Sequence, residues 1–464
     1  MANLSLANRL RNIFLLFKES LNSEGKDFTK GSLRKAIFLL AVPMILEMCM
    51  ESVFAVVDIF FVSKLGSAAA ATVGLTESVL TIIYSLAIGL SMAATAMVAR
   101  RVGEKDMKAA AEAGAQALII CFCISILISI SGLLYAPEIL GLVGASAEII
   151  SIGSTYVTIM LTGNIVIMLL FLINGIFRGA GDAAIAMKSL WLANICNIIF
   201  CPILIHFYGL TGAAIATTTG RGIGVLYQLY HLNKGKGLIQ LGLSHFKPVL
   251  AVIKSILNIA STGTLQFLIA SASWIFMAKI IAGYGSDAIA GYTIAIRLII
   301  FFLMPAWGLS NAAATLVGQN LGAKQIERAE ESVWKTAKYN GIFMGIVSLL
   351  FITAAPFFVG LMSNQTVVIE TGARALRIIS FGYLFYGVGM VMMNAFNGAG
   401  DSRTPTIINF FWFWVFQIPV AYFLSGSAKW GTSGVFWAIV ITETCIAITS
   451  MILFKKGRWK KVNI

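Results

Sequence analysis

The sequence predicts an all-α polytopic membrane protein: twelve transmembrane helices in two six-helix lobes, related by a pseudo-two-fold axis along the membrane normal. Three observations carry this: an apolar composition, basic residues collected in alternate loops, and one internal repeat at a fixed offset. Of the 464 residues, 58% are hydrophobic and only 12% are charged, against roughly 25% charged in a typical soluble domain. A soluble enzyme, a disordered chain and a disulfide scaffold are excluded, and the bilayer is the main solvent.

Read with a window of about 20 residues, the apolar runs fall into twelve segments. They lie near 34–63, 70–99, 109–135, 149–177, 183–207, 211–231, 248–282, 288–317, 330–358, 367–396, 404–424 and 432–454. The net charge of +14 does not mark a nucleic-acid surface, because the cations sit in the connections between segments. Twenty-eight of the 34 Lys and Arg residues, Arg178 and Arg221 among them, are assigned to one side of the membrane. An excess of basic residues marks the cytoplasmic face, so both termini are expected there, in a cell inner (plasma) membrane protein.

The chain begins with a cytoplasmic segment over 1–33. Met1–Lys30 is too polar for a cleavable signal peptide and lacks a small-residue cleavage site. Within it, Leu4 to Leu21 carries Leu10, Ile13, Phe14 and Phe17 at helical spacing among Arg9, Arg11 and Lys18. That pattern fits a short interfacial helix or an untethered leader. An N-lobe follows over 34–232, a Gly/Lys-rich cytoplasmic linker over 233–247, a C-lobe over 248–454 and a basic cytoplasmic tail over 455–464. The six cysteines all fall inside apolar segments and read as free buried thiols.

A shift of 219 residues superposes Gly66-Ser67 on Gly285-Ser286, Gly89 on Gly308, and Gly103 on Gly322. The same shift superposes Gly179-Ala180-Gly181-Asp182 on Gly398-Ala399-Gly400-Asp401. With three further residues, Gly209 and Gly212 meet Gly431 and Gly434. Six spans per half give the halves the same orientation, the arrangement of transporters with parallel repeats. The Asp of each Gly-Ala-Gly-Asp turn is placed to cap the following helix.

Acids at membrane depth cost roughly 2.5–3.5 kcal/mol each on insertion scales. The first segment has three: Glu47, Glu51 and Asp58. Their spacings place them within about 60° on one helix face, which must line a cavity or meet polar partners. Pro43 interrupts the same helix and makes a bendable point. Asn197 lies one turn before Cys201 in the fifth segment, and Thr217 lies in the sixth. These three supply either ion ligands for H⁺ or Na⁺ or interhelical hydrogen bonds. The second half is poorer in acids: Glu443 lies in segment twelve, and Met277 stands at the position matching Asp58. Gln266, Tyr386, Cys201 and Trp412 are further candidates for a substrate cavity; aromatic faces suit an amphipathic organic cation or lipid-facing packing. The histidines form no catalytic motif and no nucleotide loop is present.

Together, Pro43-Met44, Val57-Asp58, Lys64-Leu65-Gly66, Val98 to Gly103, Phe177 to Asp182, Gly212 to Thr217, Val317 to Gly322 and Asn397 to Asp401 resemble the multidrug and toxic compound extrusion (MATE) family. The likeness is closest to its DinF-like branch. The resemblance implies a two-lobed antiporter, not an enzyme, without cofactors, expelling small amphipathic, cationic compounds in exchange for H⁺ or Na⁺. It implies coupling at Asp58, with Asn197 and Thr217 as polar neighbours and a possible Na⁺ site among the three. Cys201 departs from the branch, which has an aspartate there; Glu51 or Glu47 is the expected substitute. Membrane lipids and small organic substrates are the expected partners of a monomer, with no nucleic acid. The alternatives are a lipid-linked saccharide flippase of a related superfamily and a membrane-embedded transferase.

Overall fold

The computed structural model describes residues 6–22, 26–234 and 237–464. Leu4 and Ser5 of the amphipathic stretch, and Gly235-Lys236 of the linker, lie outside the described residues. The rest is helical. An amphipathic helix α1 (Leu6–Ser20) precedes α2 (Leu33–Ser63), α3 (Ser67–Gly103), α4 (Met107–Leu142), α5 (Ala147–Thr162), α6 (Asn164–Ala180) and α7 (Ala183–Lys234). The second half comprises α8 (Leu250–Ala282), α9 (Ser286–Gly322), α10 (Ile326–Gly360), α11 (Thr366–Ser380), α12 (Tyr383–Gly398), α13 (Arg403–Asn409), α14 (Ile418–Tyr422) and α15 (Thr432–Lys455).

Four expected spans differ in detail. The fourth is two helices, α5 and α6, meeting at Gly163. The tenth is also two: α11 and α12 join across Phe381-Gly382 with a bend of 58°. The fifth and sixth run as one 52-residue helix, α7, with no loop between them. At 1.5 Å per residue that helix would be about 78 Å long, more than twice the hydrocarbon thickness. It therefore reverses, at Gly209, whose φ of 56° and ψ of −135° are open to glycine. Gly212 then packs so closely on the Leu204 carbonyl that a Cβ there would lie 2.0 Å from it. Counting this reversal, and the bent pairs as single spans, gives twelve crossings.

The backbone carries the repeat as strictly as the sequence. Gly431 has φ 55° and ψ −140°, matching Gly209. Lys105 and Lys324 occupy the left-handed region at φ 62° and 60°. An apolar cluster from Val62 to Ile239 fills the N-lobe and takes in Ile256, Ile259 and Ala260 of α8, and another from Met277 to Ile439 fills the C-lobe. A smaller cluster joins them, with Ile37, Leu40 and Met44 of α2 packed on Leu309, Ala312 and Leu316 of α9.

The lobes approach most closely in the half of the molecule nearer the termini. A Cβ on Gly103 would lie 2.0 Å from the Gln319 carbonyl oxygen, and one on Gly322 would lie 2.1 Å from that of Arg100. These are the same contact seen twice, because Gly322 and Gln319 are the repeat mates of Gly103 and Arg100. Gln319 also donates to the Gly179 carbonyl, and Arg100 donates to the Val462 carbonyl at 2.8 Å. Asp401 caps the following helix by accepting from Thr404 N. Asp182 instead accepts from Leu238 N at 2.7 Å, and so holds the linker against the N-lobe.

Candidate functional site

The three acids of α2 face α6 and α7, inside the N-lobe. Each meets a different environment. Glu47, 1% exposed, accepts from Asn174 Nδ2 at 2.9 Å and from Arg178 Nη1 at 3.2 Å. Arg178 continues to Ser91 Oγ, and Asn174 Oδ1 accepts from Ser189 Oγ and Gln228 Nε2. One turn further along, Glu51 accepts from Arg221 Nη2 at 3.1 Å. Arg221 is 1% exposed, and its guanidinium lies 4.7 Å from the centre of the Phe54 ring.

This corrects the sequence-based placement of Arg178 and Arg221 with the face-marking cations. Both are buried and neutralise acids on a neighbouring helix. A buried charge without a partner costs several kcal/mol, so the buried Glu47 and the largely covered Glu51 each call for a cation. Arg221 already lay within the sixth apolar segment, which was the available signal. Arg178 stood at a helix end, where burial is not readable from one sequence.

Asp58 has no such cation within ion-pair distance. Its Oδ1 accepts from Asn197 Nδ2 at 3.3 Å and faces Cys201 Sγ at 3.9 Å; its Oδ2 accepts from Thr217 Oγ1 at 3.3 Å. The reversal at Gly209 explains this gathering. Cys201 and Thr217 lie eight residues on either side of it, so both stand at one depth. Gly220 lets the two arms of α7 close up, since a Cβ there would lie 2.8 Å from the Ala193 carbonyl. Asn197 Oδ1 is a buried acceptor with no hydrogen-bond partner among the described residues.

The structure thus joins Asp58, Asn197, Thr217 and Cys201, and gives Glu51 and Glu47 partners of their own. Pro43 sits in a helix that runs on through it, beside Met44, whose carbonyl is packed on Gly308. The other cavity candidates are distributed over the C-lobe. Tyr386 lines a cavity with Glu443. Trp412 donates to Thr449 Oγ1 at 3.1 Å. Gln266 offers its backbone carbonyl to Asn409. Among the described residues no three His, Cys, Asp or Glu side chains are grouped to hold a metal ion.

The MatE family model matches this chain over residues 43–203 and 264–423, once in each lobe. A probable multidrug resistance protein NorM of Thermotoga maritima is 25% identical, over 97% of each chain. The multidrug export protein MepA of Staphylococcus saprophyticus is 22% identical, over 92% of this chain and 94% of its own. A crystal structure described as the outward-facing conformation of a multidrug resistance MATE family transporter of the MOP superfamily is 27% identical. It superposes with a TM-score of 0.89 over 94% of this chain and 98% of that one. With both halves matched in order and the two-lobed architecture reproduced, the chain belongs to the MatE family, whose members are transporters and not enzymes.

Proposed function

We propose that the protein is a secondary active exporter of the inner membrane, with cytoplasmic termini. It expels small amphipathic organic cations in exchange for a proton carried by Asp58. The observation that carries this reading is the contrast within α2. Glu47 and Glu51 are held by arginines, whereas Asp58 is held only by an amide, a hydroxyl and a thiol. A carboxylate without a fixed countercharge is free to exchange a mobile cation. Its neighbours favour a proton over Na⁺. Two of them present hydrogen-bond donors to the carboxylate, and Cys201 supplies a soft sulfur where a hard cation needs oxygen.

Alternating access follows from the two lobes. They are closed against each other on the terminus-bearing face, so substrate leaves toward the opposite side in this conformation. Protonation of Asp58 removes the charge that orders Asn197 and Thr217, and α2 relaxes about Pro43. Drug export by NorM and MepA, as those relatives are named, supports the substrate class. A flippase for anionic lipid-linked sugars is disfavoured, because Arg178 and Arg221, the two arginines that face α2, are already neutralised by Glu47 and Glu51.

The test is transport in proteoliposomes holding a fluorescent organic cation, with a pH gradient or a Na⁺ gradient imposed separately. Flux should follow the pH gradient and vanish in Asp58→Asn. Flux driven by Na⁺ alone, or flux that survives Asp58→Asn, would sink the proton assignment.

A further inference from the structure

In the C-lobe, Ser273, Trp274, Met277, Phe413, Gln417 and Glu443 line a cleft too tight to admit a water molecule. It adjoins a second lined by Tyr383, Tyr386 and Glu443. Glu443 is 8% exposed and belongs to no ion pair among the described residues. The Tyr383 hydroxyl is buried without a hydrogen-bond partner, in a residue only 2% exposed.

The repeat shows where this cavity stands. Met277 is the mate of Asp58 at the offset of 219 residues. Past the Gly209 and Gly431 reversals the offset is 222, which makes Ile439 the mate of Thr217 and Glu443 the mate of Arg221. The cavity is therefore the C-lobe counterpart of the Asp58 site. The acid has moved from the first helix of the lobe to the last, and the cation of the N-lobe site has been replaced by that acid. A π-helical stretch, Phe410–Gln417, builds the remaining wall and presents Phe413 and Gln417 to it. Such widened helices are frequent at functional sites.

We infer that Glu443 is a second proton-binding site, set in the C-lobe beside Met277, the repeat mate of Asp58. The ligand class follows from what surrounds it. The cavity beside Tyr383 has a volume of about 20 Å³, room for a single water and not for an organic cation. A metal cation needs several oxygen ligands, but Glu443 is the sole carboxylate lining either cavity, and Gln417 Oε1 already accepts from Ser273 Oγ at 2.8 Å. The other titratable groups facing it are the Tyr383 and Tyr386 hydroxyls, both on α12. No Lys or Arg lines the cavities from α8, α9, α11, the π-helical stretch or α15. A lone carboxyl among aromatic and aliphatic groups can stay buried as the neutral acid and release its proton to water entering the cavity. The inference stands on this geometry and does not depend on coupling at Asp58.

Infrared difference spectroscopy of the purified full chain, titrated from acid to alkaline pH, tests it without any substrate. The protonated-carboxyl band of Glu443 should appear on acidification, be lost in Glu443→Gln and persist in Asp58→Asn. Tyr383→Phe, which keeps the ring and removes only a hydroxyl, should shift the position of that band. This second variant keeps the test decisive should Glu443→Gln fold poorly. A titration unchanged in Glu443→Gln, or a Tyr383→Phe spectrum identical to wild type, would overturn the inference. A band that responds to Na⁺ at fixed pH would overturn it in favour of a metal cation.

Discussion

Arg221 Nη2 lies 3.1 Å from Glu51 Oε1, and the arginine is almost wholly buried. The pair joins α2 to the second arm of α7, the same two elements that build the Asp58 site. Arg221 is therefore both a structural tie and the nearest fixed positive charge behind that site. Removing Glu51 leaves Arg221 charged and buried, and removing Arg221 leaves Glu51 charged with its side chain 21% exposed. Breaking a buried pair costs about 3–5 kcal/mol. Arg221→Met should lower the thermal stability of the detergent-solubilised protein by that order. Combining it with Glu51→Gln should recover much of the loss, a coupling that a double-mutant cycle reads directly. Equal destabilisation in the single and double variants would show that the pair is not coupled.

Closure of the terminus-bearing face depends on two glycines related by the repeat. A methyl group on Gly103 or Gly322 would lie near 2 Å from a backbone oxygen of the opposite lobe. Backbone cannot yield as a flexible side chain does, so the helices must part. Gly103→Ala and Gly322→Ala should each cost about 1–3 kcal/mol in the closed arrangement. They should also raise the reactivity of a cysteine introduced at that seam. Equal labelling of wild type and both variants would show that the seam tolerates the spacing.

The N-terminal helix is tied down electrostatically. Lys26 Nζ and Lys35 Nζ lie 2.6 and 3.0 Å from Glu19 Oε1, and their hydrogen bonds hold the Glu19 carboxyl below its usual range, Lys26 first. A carboxyl lowered in the folded state contributes stability above its unfolded pKa. That contribution fades as pH falls through the lowered value. All three side chains are partly exposed, so the pair is worth under about 1 kcal/mol and is screened by salt. Hydrogen exchange of residues 26–31 should therefore speed up on acidification below the ordinary carboxylate range, and in high salt. In Glu19→Gln this pH dependence should be absent.

How much of this was legible from one sequence differs by kind of signal. Glu47, Glu51 and Asp58 could be put on one face because helical periodicity is local, and the structure keeps them on the side facing α6 and α7. The partners of Glu47 and Glu51 were not legible. Which arginine crosses from another helix is a tertiary fact, and Arg178 looked like any cation at a helix end. Gly209 was readable both as a repeat marker and as the break between the segments 183–207 and 211–231; what was not readable is that the chain reverses there inside one continuous helix, without a loop. Glu443 was visible as a membrane-depth acid. Its kinship with Arg221 follows from the three-residue insertion that the sequence already shows ahead of Gly431, and the paired backbone angles of Gly209 and Gly431 fix that register.

The thiol beside Asp58 gives the last prediction. Cys201 Sγ lies 3.9 Å from Asp58 Oδ1, with Asn197 and Thr217 completing the surroundings. Cys201→Asp sets a second carboxylate beside the first and replaces a soft ligand by two hard oxygens. Two carboxylates that close repel each other, and a shared cation relieves the repulsion. Together with the Thr217 hydroxyl they supply two more hard oxygens for Na⁺ than the wild-type site presents. Cys201→Asp should therefore become Na⁺-stabilised. The gain should reach about 1.4 kcal/mol in unfolding free energy once Na⁺ exceeds its Kd tenfold, while wild type responds no differently to Na⁺ than to an organic monovalent salt. Cys201→Asn controls for shape, since it offers a comparable volume without the charge and should gain no Na⁺ response. A wild-type protein already stabilised by Na⁺ would mean that the thiol does not decide the choice of ion, and that Asp58, Asn197 and Thr217 bind the metal without help.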